Sequence, residues 1–192
     1  SNNDFIRTTE NRHKKSATNI WKILEKKGEI YLSKYSGWYS VSDEAFYSED
    51  EIENIKGIKQ SIISGSPVEW VEEESYFFKL SAWSKKLLDF YDKNPNFILP
   101  KSRKNEVIKF VEKGLKDLSI SRTSFSWGIP VPTNNGHIIY VWLDALTNYI
   151  SALNFPNIDD EKYKNFWPAD IHIIGKDILR FHAVFWPAFL LA

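Results

Sequence analysis

The chain has 192 residues with 25 basic and 25 acidic side chains, so its formal net charge is zero and no global field draws it to nucleic acid or an anionic membrane. It contains no Cys, which excludes a disulfide framework and a cysteine-based zinc site. Its 43% hydrophobic content suffices for a sizeable core, yet no apolar run reaches the roughly 18 residues a membrane span needs.

Residues 4–9 read as a short strand leading into a turn. Ala17, Ile20, Trp21 and Leu24 then recur at helical spacing in a polar background, with Gly28 placed as a C-cap after Lys26 and Lys27. In residues 29–43, Ile30, Leu32, Trp38 and Val41 mix with Tyr31, Tyr35 and Tyr39 around Ser36-Gly37, the pattern of a β-hairpin. Residues 49–53 form an acidic, solvated face. Gly65-Ser-Pro67 marks a loop, and residues 68–78 supply one or two strands. Ser81 is a candidate cap for a helix whose apolar side is Trp83, Leu87, Leu88 and Tyr91, ended by Asn94-Pro95.

After Pro100, Ser102 is an N-cap candidate for a helix through Val107, Ile108, Phe110, Val111 and Leu115, with Gly114 near its end. Residues 117–122 read as a strand and residues 127–132 as a rigid connector, because each Pro fixes its own φ. Asn135-Gly136 is a hairpin-type turn. Residues 138–143 are nearly all apolar, the pattern of a strand covered on both faces, and a helix follows from Asp144 through Ala145, Leu146 and Tyr149. Ile171, Ile173 and Ile174 make a second β-branched run, stopped by Gly175. From Asp177 on, Ile178, Phe181, His182, Phe185 and Trp186 recur at helical spacing. Two strand-to-helix units in the last third predict an α/β fold, and the β-rich middle predicts an inserted subdomain.

In an open parallel sheet, ligands bind beyond the carboxyl ends of the strands, which puts Gly175, Lys176 and Asp177 where a nucleotide is met. The alternative for Asp177, ranked behind the nucleotide contact, is an ordinary helix cap, and Lys176 and Arg122 are either counter-charges for phosphate or partners in structural ion pairs. Read alone, the aromatic stripes are packed helix faces. His13, His137 and His172 have no companions at metal-ligand spacing and read as structural. Glu72, Glu73 and Glu74 read as a solvated or internally paired run. With no signal peptide in view, a cytoplasmic protein is expected. The lack of any Met, the start at Ser1 in mid-stride and the bare apolar end at Ala192 lead us to expect a piece of a longer protein.

Six blocks, in order, resemble the catalytic core of the methionyl-tRNA synthetase family: Gly37-Trp-Tyr-Ser-Val-Ser-Asp-Glu-Ala-Phe-Tyr47, Pro67-Val-Glu-Trp-Val-Glu-Glu-Glu-Ser-Tyr-Phe-Phe78, Leu115-Lys-Asp-Leu-Ser-Ile-Ser-Arg122, Trp127-Gly-Ile-Pro-Val-Pro132, Tyr140-Val-Trp-Leu-Asp-Ala-Leu-Thr-Asn-Tyr149 and Ile174-Gly-Lys-Asp-Ile-Leu-Arg-Phe-His182. One such block is weak evidence; the ordered set is specific. The resemblance implies a class I aminoacyl-tRNA synthetase with a Rossmann-type catalytic domain, of which residues 1–29 end the first half, residues 30–97 are a connective-peptide insertion and residues 98–192 belong to the second half. It implies a zinc-free branch, with Ser36-Gly-Trp-Tyr-Ser-Val41 standing in for a cysteine knuckle. The family's His-Ile-Gly-His and Lys-Met-Ser-Lys-Ser motifs are expected before Ser1 and after Ala192, which makes the piece inactive alone.

The activity implied is methionine activation with ATP, Mg2+ accompanying the ATP, followed by transfer to tRNA(Met), with no membrane involved. By the same resemblance Trp142, Ala145, Leu146, Tyr149, Phe181, His182 and Trp186 line the methionine pocket; for Leu146 and Trp186 the core reading stays open. Leu146 stands where other branches carry Pro. Gly175, Lys176, Asp177 and Arg122 meet ATP, and no residue here is assigned a covalent or acid–base role. Two alternatives remain: a class I synthetase for another apolar amino acid, and a module that only docks tRNA through Lys14-Lys15, Lys85-Lys86 and residues 101–104.

Overall fold

The structure, a computed structural model, describes residues 2–43 and 45–192, with the side chains of residues 35, 45 and 46 outside the description. The helix predicted around Trp21 is α1, Asn11–Lys26, which buries Ala17, Ile20, Trp21 and Leu24 on one side. Gly28 follows at φ +73°, a left-handed conformation that stops the helix. Among the described residues no strand forms before it; Thr8 and Thr9 make the expected turn.

Two long strands follow, β1 (Ile30–Ser40) and β5 (Glu69–Phe78), paired antiparallel from Ile30 opposite Phe78 to Tyr39 opposite Glu69. The hairpin predicted at Ser36-Gly37 is therefore absent. Gly37 lies in the ladder opposite Val71, and Trp38 sits edge-on to Trp70 at 5.2 Å across the strands, so pairing outweighs the local turn signal. The chain reverses at residues 41–43 instead, before β2 (Ala45–Tyr47); Glu44 and the side chains of Ala45 and Phe46, part of the first quoted block, lie outside the described residues, as does the Tyr35 side chain. Around this turn the Asp43 carboxylate accepts hydrogen bonds from Ser64, Tyr47 and Ser66, which hold its pKa down to about 2. A small hairpin, β3 (Ile52–Ile55) and β4 (Ile58–Ser61), fills a stretch read only as acidic surface and loop.

Helix α2 (Ser84–Lys93) is entered through a 3-10 turn, so Ser81 does not cap it; the Ser81 N–H and hydroxyl both donate to Asp117. Helix α3 (Lys101–Glu112) starts directly after Pro100, one residue before the expected cap at Ser102. Then β6 (Leu118–Ser119) extends the first sheet to the order β2-β1-β5-β6, while β7 (Ser121–Arg122), β8 (Pro130–Val131) and β9 (Asn134–Ile139) form a second sheet in the order β7-β9-β8. Ile120 joins the two, its N–H bonded to Tyr76 O and its carbonyl to Tyr140 N. The hairpin turn falls at Pro132-Thr133 and Asn135-Gly136 lies within β9.

Helix α4 (Val141–Ser151) takes over the second half of the apolar run predicted as a strand. Leu143, Leu146, Thr147 and Ile150 form a buried helical stripe, whereas a strand through residue 143 would have required alternating partners on two faces. The short helix α5 (Glu161–Phe166) is capped by Asp160, whose carboxylate accepts from Lys162 N. Residues 171–175 belong to no helix or strand and have no ladder partner among the described residues, and Ile171 and Ile173 are 77% and 95% exposed. The predicted strand is thus not formed: a strand exists only where a neighbour takes up its N–H and C=O groups. All observed pairings are antiparallel, so the expected parallel sheet is not seen among the described residues.

The last helix is composite. A 3-10 turn at Lys176–Ile178 leads to a π-helical turn at Phe181–Phe185 and then α6 (Trp186–Leu191). Pro187 supplies the reason, since it has no N–H to give the Ala183 carbonyl four residues back. The hydroxyl of buried Tyr91, from α2, donates to that carbonyl at 2.6 Å instead.

Candidate active site

The observed fold brings α4 and the composite C-terminal helix face to face. Tyr149, in the third turn of α4, places its hydroxyl 2.6 Å from His182 Nε2, and His182 Nδ1 lies 2.9 Å from the Ile178 carbonyl. A carbonyl only accepts, so Nδ1 carries hydrogen; in the neutral ring Nε2 then accepts from the Tyr149 hydroxyl. The residue sits in the π-helical turn, a distortion that recurs at functional sites because it re-aims side chains. Trp142 stacks on Phe181, with ring centroids 3.4 Å apart and planes 11° from parallel. Phe185 stands edge-on to Phe181 at 5.4 Å. Burial raises the Tyr149 pKa, keeping the phenol protonated and available as a donor.

Of the seven residues expected around an apolar ligand, Trp142, Tyr149, Phe181 and His182 form one partly buried cluster and Ala145 lies half-buried on the same helix. Leu146 and Trp186 are buried in the core, although Trp186 still touches Tyr149 at 6.3 Å. The Trp142 and Phe181 rings close on one another, and two cavities, of about 150 and 230 Å³, lie around Trp38 and Lys59 and around Thr9, Trp127 and Asp144.

Two members were not anticipated. The Ile178 carbonyl orients His182, and His172, read as structural, stands edge-on to Tyr149 at 4.5 Å. The Ile178 carbonyl lies only four residues before His182, at helical spacing, whereas His172 carries no local signal because it meets Tyr149 only through the tertiary fold. Burial first and the neighbouring His182 second push the His172 pKa below its ordinary value of 6.5. A depressed imidazole contributes stability that is full above the unfolded value and is lost as pH falls through it, because the unfolded chain binds the proton more readily. His172→Gln is expected to flatten the fall in melting temperature between about pH 7 and pH 5; an unchanged slope would contradict this.

Next to the cluster, Gly175 has an ordinary φ of −69°, and a Cβ built on it meets nothing within 4 Å. Neither backbone strain nor packing demands glycine there. Gly175, not Asp177, occupies the cap position of the 3-10 turn, so Asp177 is no helix cap; its exposed carboxylate makes no hydrogen bond among the described residues, and Lys176 is likewise exposed. Arg122 lies apart from these, buried on β7, donating to Ser119 and Ser121 and lying 4.0 Å over the Tyr140 ring. His13 and His137 are buried and hydrogen-bonded to carboxylates, at 2.6 Å to Asp144 and 3.4 Å to Glu74.

An aromatic site beside a Gly-Lys-Asp turn defines a class that comparison with known proteins makes specific. The model for the class I tRNA synthetases (M) matches residues 1–60 and 55–192. The chain belongs to this family, the methionyl-tRNA synthetases. It is 62% identical over 192 residues to a methionine–tRNA ligase of Rickettsia prowazekii and 58% identical over 193 residues to one of Brucella suis, covering all of this chain and 37% of each relative. It also matches the crystal structure of Mycobacterium tuberculosis methionyl-tRNA synthetase bound by methionyl-adenylate, with a TM-score of 0.93 and 53% identity, over all of this chain and 38% of that one. The apo form of that protein gives a TM-score of 0.90. The chain thus spans little more than a third of the length of these relatives.

Proposed function

We propose that this chain works as the central part of a methionine–tRNA ligase, which joins methionine to ATP as methionyl-adenylate and passes the methionyl group to tRNA(Met). The observation that carries the reading is the Tyr149–His182 pair set in an aromatic wall. A thioether is flexible and polarisable, and it gains most from ring edges and faces with one oriented polar group beside it. Trp142, Ala145, Tyr149, Phe181 and His182 form the wall in this reading, with Leu146 and Trp186 packed behind it. The amino acid enters by parting the Trp142–Phe181 stack.

Adenosine is met by the backbone at Gly175, where close approach explains a glycine that the fold does not require. Asp177 accepts from the ribose hydroxyls, and Lys176 offsets phosphate charge. The Arg122 assignment to ATP rests on its charge alone, and that charge faces Ser119, the Ser121 carbonyl and the Tyr140 ring. Mg2+ would accompany the triphosphate, held by phosphate oxygens and a few carboxylates. Among the described residues no group of three His, Asp or Glu is arranged for a metal. What these residues contribute is placement of two reactants, and charge stabilisation at the phosphates falls largely to groups outside the chain.

In the same reading residues 30–97 are the connective-peptide insertion, zinc-free, between residues 1–29 and 98–192 of a Rossmann-type domain, in a cytoplasmic enzyme. No helix of the structure is long and apolar enough to cross a membrane. The docking-module alternative gains little: Lys86 lies over Trp83, Lys104 spans the Tyr91 and Pro95 carbonyls, and Arg103 pairs with Glu106.

Titration of the full-length protein with a non-hydrolysable methionyl-adenylate analogue, against leucyl and valyl counterparts, tests the reading. Preference for the methionyl compound is expected, and equal binding of all three would overturn the pocket assignment. Asp177→Ala is expected to raise the KM for ATP on the order of tenfold while the methionine KM stays within about twofold, as loss of hydrogen bonds to one charged group predicts. A rise confined to methionine would remove Asp177 from the adenosine site.

A further inference from the structure

We infer that His13 is a positioning residue that sets the rotation of α4 and thereby the methionine-facing side chains, an inference that rests on placing Trp142, Ala145 and Tyr149 in the amino-acid pocket. His13 lies in the first turn of α1 and is 0% exposed, yet both ring nitrogens are engaged on one partner helix. Nε2 is 2.6 Å from Asp144 Oδ1, and Nδ1 is 3.1 Å from Ser151 Oγ. Asp144 and Ser151 are seven residues apart, two turns along the same face of α4. Between them Thr147 donates to the Leu143 carbonyl, and Ser151 Oγ lies 2.8 Å from the Thr147 carbonyl. One turn further along α1, Ser16 Oγ lies 2.5 Å from the Phe155 carbonyl just beyond α4.

The geometry of the helix gives this polar stripe its consequence. At about 100° per residue, the direction of residues 144, 147 and 151 is centred about 160° from that of residues 142, 145 and 149. The imidazole therefore grips α4 on the side opposite the pocket. Apolar packing of Leu143, Leu146 and Ile150 is non-directional and tolerates a small rotation, whereas two hydrogen bonds to a rigid ring do not. With side chains reaching about 5–6 Å from the axis, a 10° turn moves the Tyr149 hydroxyl by about 1 Å, which stretches or misaligns its 2.6 Å bond to His182. Misplacement of that size at a reacting site lowers rates well out of proportion to its distance.

The test measures amino-acid-dependent pyrophosphate exchange by the full-length protein. Ser151→Ala, His13→Phe and Asp144→Ala are each expected to raise the methionine KM, on the order of tenfold for the last two, with the ATP KM within about twofold of the parent. Asp144→Asn keeps an acceptor oxygen and is expected to restore the methionine KM to within about twofold. Ser151→Ala, the mildest change, keeps the test readable if His13→Phe does not fold. Unchanged methionine KM in Ser151→Ala and Asp144→Ala, equal rises in both KM values, or an Asp144→Asn loss as large as that of Asp144→Ala would overturn positioning. Tyr149→Phe separates the two levels. If it leaves the methionine KM unchanged, the pocket assignment fails and the inference with it. If it raises that KM while the α1-facing variants do not, the inference fails alone.

Discussion

His182→Ala in the full-length protein is expected to raise the KM for methionine on the order of 10- to 100-fold and to leave the ATP KM within about threefold. The substitution removes the acceptor of the Tyr149 hydroxyl and the donor to the Ile178 carbonyl, both part-buried. A polar group left unsatisfied away from water costs about 1–3 kcal/mol, and each 1.4 kcal/mol is tenfold in binding. The ring also leaves a gap beside Tyr149 and His172 that water enters, which weakens the hold on a thioether. Asp177 and Gly175 precede it by a turn or more and keep their own backbone contacts. Steady-state kinetics with each substrate varied in turn decides the matter. Equal rises in both KM values would mean that the change loosens the helix and does not mark a pocket.

Trp21→Ala is expected to destabilise the chain's fold by about 3–5 kcal/mol, the range for truncating a buried aromatic. Trp21 is 0% exposed, and its indole meets Tyr76 of β5 edge-on at 5.3 Å, so it pins α1 to the first sheet. Its Nε1 has no hydrogen-bond partner among the described residues, so the loss is one of packing and cavity formation alone. Against a total stability of about 5–15 kcal/mol for a domain, this is a large fraction. Trp21→Phe, which retains most of the apolar volume, is expected to cost less than half as much. Thermal and urea unfolding of both variants give the comparison. Equal small losses would show that α1 is held elsewhere.

The pair separates what the sequence revealed from what it concealed. Ala17, Ile20, Trp21 and Leu24 were legible because a single helical face, repeated over two turns, is a local pattern. Tyr149 and His182 were legible as helix positions whereas Trp142 was read into a strand, and the family resemblance brought the three together before the geometry did. The Tyr149–His182 bond joins residues 33 apart, and the His13–Asp144 and His13–Ser151 contacts join residues 131 and 138 apart. No local window holds both partners of any of them. His13 was read as structural, and its burial agrees, but its reach onto α4 was invisible.

The misplaced elements have physical causes of the same kind. Residues 138–143 are apolar enough for strand or helix, and the stripe of Leu143, Leu146 and Ile150 decided for helix from Val141 on. Gly37 looked like a turn residue, yet a ladder of ten residue pairs between β1 and β5 passes through it. Residues 171–174 have strand chemistry, but no described neighbour completes a ladder, and two of their isoleucines stay exposed. Asp177 was read as a ligand contact ahead of a cap, and the turn is capped at Gly175.

The central claim is that this chain holds the amino-acid side of a methionine-activating site. Amino-acid-dependent exchange of pyrophosphate with ATP by the full-length protein, run with each of the twenty amino acids in turn, tests it most directly. Exchange driven by methionine and reduced by His182→Ala is the predicted result. Exchange driven instead by leucine, isoleucine or valine, or none with any amino acid, would contradict the account.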